Sequence, residues 1–157
     1  MTIQFIVIGK TDGKYFNEAI DDYSNRLRRY IRFDMQVIPD IRNAKNLTFA
    51  QQKEREGELI LKSLQPGDCV VLLDERGKEM TSTAFADYLE RKMHTVPKRL
   101  VFIVGGPYGF SDAVYAAAAE KMSLSKMTFS HQMVRLFFVE QVYRAFTIMR
   151  GEPYHHD

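Results

Sequence analysis

Short apolar runs alternate with segments of helical periodicity along the chain, and this alternation limits the possible folds more than any other feature. Residues 69–73 and 100–104 are uninterrupted apolar runs, as in strands that are covered on both faces. Residues 3–8 and 33–38 predict two more strands, and residues 122–127 leave room for only a short one. The pattern predicts an α/β fold with an open, mostly parallel sheet and helices on both faces.

Polar and turn-forming residues mark where the helices begin and end. Thr48 and Gln51 predict a capping box for a helix that reaches about Leu64. Ser111 and Ser130 are the expected N-caps of two later helices. Residues 75–78 are polar and predict a loop. Ser82 is the expected N-cap of a helix that places Phe85, Leu89 and Met93 on one face, and Gly151 is expected to end the last helix.

The charges nearly cancel, because 22 Lys+Arg and 20 Asp+Glu leave a net charge of +2. Polybasic nucleic-acid binders neutralise many phosphates at once, so this balance argues against that class. The single cysteine, Cys69, excludes an internal disulfide and suits a cytoplasmic protein. Since no apolar run approaches the roughly 20 residues that cross a bilayer, we expect no membrane segment. The length of 157 residues fits one domain over residues 1–157.

Residues 105–109, with the sequence Gly-Gly-Pro-Tyr-Gly, directly follow an uninterrupted apolar run. Ligands of parallel sheets bind at the carboxyl ends of the strands, where glycines allow the backbone to approach closely. Pro107 stands where a dinucleotide fingerprint needs its second glycine, and the Gly-Lys-Ser/Thr ending of a P-loop does not follow. The turn therefore predicts either a ligand site of another kind or a tight connection between strand and helix.

The segment 123–132, which leads into the last helix, mixes small hydroxyl side chains with Lys126 and His131. Both residues are candidates for contact with a polar ligand. The alternative for His131 is a local hydrogen bond at the start of the helix.

Two arginines and the C-terminal tail supply further candidates. Arg135 and Arg144 have the guanidinium groups that suit phosphate recognition, although spacing favours an ion pair between Glu140 and Arg144. By default we expect the last six residues to be poorly ordered. They nevertheless contain Tyr154 and His155, whose rings can stack on a nucleobase.

Seven short motifs follow one another along the chain. They are Val7-Ile8-Gly9-Lys10, Leu73-Asp74 before Gly77-Lys78, Ile103-Val104-Gly105-Gly106-Pro107-Tyr108-Gly109, Leu124-Ser125-Lys126-Met127-Thr128, His131-Gln132-Met133-Val134-Arg135, Glu140-Gln141-Val142-Tyr143-Arg144-Ala145 and Pro153-Tyr154-His155. Together and in this order they resemble the ribosomal RNA large subunit methyltransferase H family, a group of small bacterial enzymes of the SPOUT class. The resemblance covers essentially the whole length.

The resemblance implies a fold, an activity and an assembly. Members of this family have a C-terminal trefoil knot, form homodimers and use S-adenosylmethionine as methyl donor. They methylate N3 of pseudouridine 1915 in 23S ribosomal RNA, and their preferred substrate is the assembled 70S ribosome. A trefoil knot is a rare exception among folds, and nothing in the periodicity of the sequence predicts one.

Carried over residue by residue, the resemblance also implies two groups of site residues. The donor-binding group is Leu73, Gly105, Leu124, Ser125, Lys126, Met127, Thr128 and Phe129. The substrate group is His131, Arg135, Arg144, Tyr154 and His155. The tail of one subunit is expected to complete the site of the other, and no metal is implied.

The expected reaction moves a methyl group from a sulfonium to an imide nitrogen, which must lose its proton. His131 is the leading candidate for the base or for polarising a neighbouring carbonyl, and Tyr154 or His155 is the alternative. Arg144 is expected to stabilise the negative charge that develops on the ring. The expected RNA contacts come from Arg135 and from the same Arg144, Tyr154 and His155.

The sequence differs from the family pattern at its C-terminal end, and two other functional classes are alternatives to this interpretation. Some relatives have a basic residue after the Tyr-His pair, whereas His156 and Asp157 follow here, so a charged phosphate contact from the end of the tail is in doubt. A small α/β protein that binds a nucleotide or flavin fits the fold pattern but lacks both phosphate fingerprints. A non-catalytic, dimeric RNA-binding module of the same fold is the other alternative.

Overall fold

Five strands form one sheet at the centre of the molecule. They are β1 (Thr2–Ile8), β2 (Arg32–Ile38), β3 (Cys69–Glu79), β4 (Arg99–Val104) and β5 (Glu120–Ser123) in a computed structural model that describes residues 1–156. Their order across the sheet is β2-β1-β4-β3-β5, and every neighbouring pair is parallel. The expected parallel sheet is thus confirmed. The knot is not visible from strand order, and it stays a prediction.

Within the described residues, α-helices connect the strands, and one more follows β5. They are α1 (Lys14–Leu27), α2 (Phe49–Ser63), α3 (Ser82–Thr95), α4 (Asp112–Ala117) and α5 (His131–Met149), with a 3₁₀ turn at Ala44–Asn46. The capping box at Thr48 and the caps at Ser111 and Ser130 are confirmed. Gly151 adopts a φ of 66° just after α5, as a helix end requires. No helix among residues 1–156 is long and apolar enough to cross a membrane.

The expected cap of α3 was wrong by one residue. Thr81 is the N-cap, and its Oγ1 accepts a hydrogen bond from the backbone N–H of Ala84 at 3.1 Å. Ser82 instead donates to Oε1 of Gln141 on α5 at 2.9 Å. Met93 also departs from the expected inward face, because 42% of it is exposed near the end of the helix.

Apolar side chains cover both faces of the sheet. On one face α1, α3 and α5 pack against the strands, and the ring of Phe138 lies 4.6 Å from Phe5 and 4.8 Å from Phe102, measured between centroids. On the other face Ile60 of α2 and Val114 of α4 are buried. Each fully buried side chain of this size contributes about 1.5–3 kcal/mol, so both layers hold the sheet between them.

Residues 75–78 do not form the expected loop. The strand β3 continues to Glu79 and pairs with β5 on both sides of an irregularity between Leu73 and Lys78. Gly77 permits this pairing, because a Cβ atom there would lie 2.4–2.5 Å from backbone atoms of Met122. The glycine allows two backbones to approach closely and does not form a turn.

The C-terminal tail is more ordered than expected. The hydroxyl of Tyr30, in the turn that follows α1, donates to Oε2 of Glu152 at 2.6 Å. The hydroxyl of Tyr154 donates to Oε1 of Glu140 on α5 at 2.9 Å. These bonds fix the tail on the α1–α5 surface. The expectation for Asp157 lies outside the described residues.

Candidate functional site

A cleft of about 640 Å³ opens where the apolar runs of β3 and β4 end, beside the carboxyl end of β5. Three chain segments, residues 73–76, 104–110 and 122–129, form its walls. The volume is within the usual range for small-molecule sites, and the position is the one at which parallel sheets bind ligands.

The structure brings all of the expected donor-binding residues to this one cleft. They are Leu73, Gly105, Leu124, Ser125, Lys126, Met127, Thr128 and Phe129. His131, at the start of α5, lines the same cleft and is exposed. Residues that are far apart in the chain therefore meet, as the resemblance implied.

Hydroxyl groups fix the backbone of the loop that follows β5. The hydroxyl of Ser123 donates to the carbonyl oxygen of Ser125 at 2.9 Å, and the backbone N–H of Met127 donates to Oγ of Ser125 at 3.0 Å. Phe129 packs edge-on against Phe137 of α5, with 5.0 Å between ring centroids. Because the loop is held at both ends, its remaining peptide groups and apolar side chains can face a ligand.

Asp74 and Tyr115 also line the cleft, and the sequence did not assign either of them a role. Asp74 accepts hydrogen bonds from the hydroxyl of Tyr115 and from the backbone N–H of Arg76, the latter at 2.8 Å. Burial, followed by the bond to Asp74, raises the pKa of Tyr115 to about 12, so its phenol remains a hydrogen-bond donor. Asp74 could have been recognised as a candidate site residue in the sequence, because it directly follows an uninterrupted apolar run.

The Gly-rich turn closes one wall of the cleft. The backbone N–H of Gly109, which has a φ of 82°, donates to the carbonyl oxygen of Gly106 at 3.2 Å. A Cβ atom at Gly105 would lie 3.0 Å from the ring of Phe110, which is buried beneath the turn. Glycine is needed at position 105 because Phe110 packs against it, and at position 109 because the backbone has a positive φ.

Arg135 is not placed where an RNA contact requires it. The residue is 2% exposed, and its guanidinium group donates to the carbonyl oxygens of Ile8 and Gly9 at 2.7 and 2.8 Å. It also donates to Oγ1 of Thr11 at 3.0 Å. The expected RNA contact is therefore corrected: Arg135 ties the connection after β1 to the first turns of α5, and its burial lowers its pKa.

Arg144, Tyr154 and His155 form a separate cluster on the second half of α5. The Arg144 guanidinium donates to Oε1 of Glu140 at 2.5 Å, which confirms the expected pair, and lies 3.1 Å from Nδ1 of His155. Its central carbon is 4.8 Å from the ring centroid of Tyr154. Burial, followed by hydrogen bonds with Tyr23 and Glu140, raises the pKa of Tyr154, so this phenol is poorly suited to accept a proton.

The cleft and this cluster lie apart in a single chain. Thirteen helical steps along α5 separate His131 from Arg144, or about 20 Å at 1.5 Å per residue. Arg144, Tyr154 and His155 are not among the residues that line the cleft in the part of the chain described. One copy of the chain therefore does not bring the expected catalytic residues together.

No cluster of three or more His, Cys, Asp or Glu side chains within residues 1–156 is arranged to hold a metal ion. The polar groups of the cleft are backbone amides, hydroxyls and isolated charged side chains. This donor set suits an organic ligand with several charged and polar groups.

Comparisons with known proteins agree with this geometry. The family profile described as "Predicted SPOUT methyltransferase" matches residues 1–155. The ribosomal RNA large subunit methyltransferase H of Parabacteroides distasonis is 73% identical over 100% of both chains, and that of Bacteroides thetaiotaomicron is 62% identical over 100% of both. A probable methyltransferase from Bordetella pertussis has the same fold, with a TM-score of 0.55 at 11% identity over 91% of this chain and 93% of that one. The chain therefore belongs to the ribosomal RNA large subunit methyltransferase H family, within the SPOUT methyltransferases.

Proposed function

We propose that the chain is an S-adenosylmethionine-dependent methyltransferase that modifies N3 of pseudouridine 1915 in 23S rRNA on the assembled 70S ribosome. The observation that carries this proposal is the cleft at the carboxyl ends of the strands, which collects every expected donor-binding residue together with His131. The names of the relatives support a substrate in large-subunit rRNA. We further propose that the chain acts in the cytoplasm, as one domain over residues 1–157 and without a metal.

The charges and surfaces of the cleft fit the methyl donor. S-adenosylmethionine, when bound, supplies a methyl group on a positively charged sulfur. The carboxylates of Asp74 and Glu75 complement positive charge, and the ammonium groups of Lys53 and Lys126 complement a carboxylate. The side chain of Leu124 and other apolar wall residues provide surfaces against which a flat ring can pack.

His131 is the proposed proton acceptor, and Arg144 is the proposed stabiliser of the negative charge. The imidazole of His131 is exposed at the rim of the cleft, where it can accept the imide proton of the substrate base. The guanidinium of Arg144, held by Glu140, presents a fixed positive charge for the anion that forms. The donor is already activated, so positioning and charge account for much of the expected rate.

We propose that two copies of the chain form the complete site. Arg144 lies about 20 Å from His131 along α5, and Tyr154 and His155 pack beside Arg144, so a second copy is the available source of these groups. Met127, at the cleft, is 77% exposed and gives this rim an apolar surface for such a contact. A homodimer with twofold symmetry then has two equivalent sites.

A methyl-transfer assay tests the proposed function. Purified protein and labelled S-adenosylmethionine are added to 70S ribosomes that lack the modification and, in parallel, to unmodified free 23S rRNA. We expect label on one pseudouridine, mainly from ribosomes, because a chain with a net charge of +2 has little surface for gripping free RNA. Equal label on free RNA would contradict the ribosome requirement. Neither label nor donor binding would leave a non-catalytic RNA-binding module as the better interpretation.

A further inference from the structure

Glu56 is a buried carboxylic acid in the interior of α2. It is 3% exposed, and its Oε2 accepts a hydrogen bond from Nε2 of Gln52 at 3.3 Å. Its Oε1 is also buried, and no group in residues 1–156 is hydrogen-bonded to it. A methionine of similar length would fill this space without the cost of burying an unpaired oxygen. Packing alone therefore does not account for a glutamate at this position.

The carboxyl group of Glu56 packs directly against the Gly-rich turn. A Cβ atom at Gly106 would lie 2.4 Å from Oε1 and 2.7 Å from Oε2, so the carboxyl group fills the place of a side chain there. The next residue of the helix, Gly57, makes a similar contact, since a Cβ atom there would lie 2.4 Å from Oγ of Ser111. Two consecutive residues of α2 thus hold both ends of the segment 106–111.

The same turn faces the cleft with its other surface. Residues 105–110 line the cleft, and Glu56 contacts Gly106 from outside it. A small movement of the carboxyl group therefore moves the cleft wall. A backbone N–H of the turn is a donor that can pair with Oε1 when the wall adjusts to a ligand.

We propose that Glu56 is a positioning residue for the methyl-donor site, whose free carboxyl oxygen accepts a backbone N–H of the Gly-rich turn when the donor is bound. This inference rests on the proposed function, because it assumes that S-adenosylmethionine occupies the cleft. Glu56 does not touch the donor and acts through Gly106.

Two substitutions of similar length separate positioning from packing. E56M keeps the volume and loses the acceptor, whereas E56Q keeps an acceptor oxygen. The Kd for S-adenosylmethionine is measured by titration calorimetry, and the free energy of unfolding by chemical denaturation. For E56M we expect a Kd about fivefold higher or more, the usual effect of one lost hydrogen bond, with unfolding stability equal to or above that of the wild type. E56Q is expected to bind the donor nearly as well as the wild type.

The matched control is E58M, because Glu58 is exposed two residues farther along the same helix. Its donor Kd should not change. If E56M binds the donor as the wild type does, or loses donor binding and stability together, Glu56 is a packing residue and the inference is wrong. If the wild-type chain itself does not bind S-adenosylmethionine, the proposed function fails first, and the inference fails with it.

Discussion

The role of Arg135, whose guanidinium group is buried, could not be predicted from its residue type and its position in the sequence. Its place on α5, between His131 and Arg144, is equally compatible with RNA contact and with an internal role. The choice depends on carbonyl oxygens of Ile8 and Gly9, more than a hundred residues earlier, which the fold brings within 2.8 Å. By contrast, the pair of Glu140 with Arg144 was predictable, because both residues belong to one helix.

We expect R135M to destabilise the protein by about 3 kcal/mol, because it leaves two buried carbonyl oxygens without their donors. The free energy of unfolding in urea measures this loss. R29M serves as the control, since Arg29 is exposed on the surface, and it should change stability by less than about 0.5 kcal/mol. A stable R135M variant with weakened ribosome binding would restore the RNA-contact interpretation.

The carboxyl group of Glu56 gives the folded state a dependence on pH. Burial raises its pKa, the bond from Gln52 lowers it, and Asp40 nearby raises it, with a net shift upward. A raised pKa means that the folded state favours the protonated form, so the contribution to stability is complete below the unfolded pKa and is lost as the pH rises through the folded pKa. We expect the stability of wild type relative to E56Q to fall as the pH rises above about 4, the ordinary pKa of a glutamate. Urea denaturation of both proteins across this range measures the difference, and a constant difference would contradict the shift.

At the scale of elements, locally encoded features were predicted and those that depend on distant partners were not. The capping box of α2 depends on two residues three positions apart, Thr48 and Gln51, and the structure confirms it. The continuation of β3 beyond Leu73 depends on β5, more than forty residues later, and polar residues 75–78 gave no local signal of a strand. The cleft residues were grouped by resemblance to a family, since spacing alone left the Gly-rich turn ambiguous.

Gly77→Ala tests the close approach of β3 and β5. The new Cβ atom would meet backbone atoms of Met122 at 2.4–2.5 Å, and backbone cannot move aside as a side chain can. We expect a loss of about 3 kcal/mol in unfolding free energy and faster amide hydrogen exchange at Met122 and Ser123. In the control Gly67→Ala, the strain comes from a φ of 86°, so exchange at those amides should not change. Equal exchange rates in the two variants would show that the contact does not hold the strands together.

At the scale of the whole molecule, two polar clusters lie apart along α5, and a single chain does not bring them together. One cluster contains His131 and lines the cleft, and the other contains Arg144 and the bound tail. Periodicity and motif spacing describe one chain, so neither predicts which groups a second copy supplies. A twofold axis that brings the tail of one copy to the cleft of the other would join the two clusters.

Mixing two inactive variants tests this assembly directly. H131A and R144A are each expected to be inactive as homodimers, because every site then lacks one group. If each site combines His131 of one copy with Arg144 of the other, a mixed dimer has one site with both groups intact and one with neither. After co-refolding of equal amounts, half of the dimers are mixed, so about a quarter of the wild-type methyl transfer should return. If both groups of a site came from the same copy, each site of a mixed dimer would lack one group, and no activity would return. Co-refolding each variant with itself gives the baseline, and wild type carried through the same procedure gives the full scale.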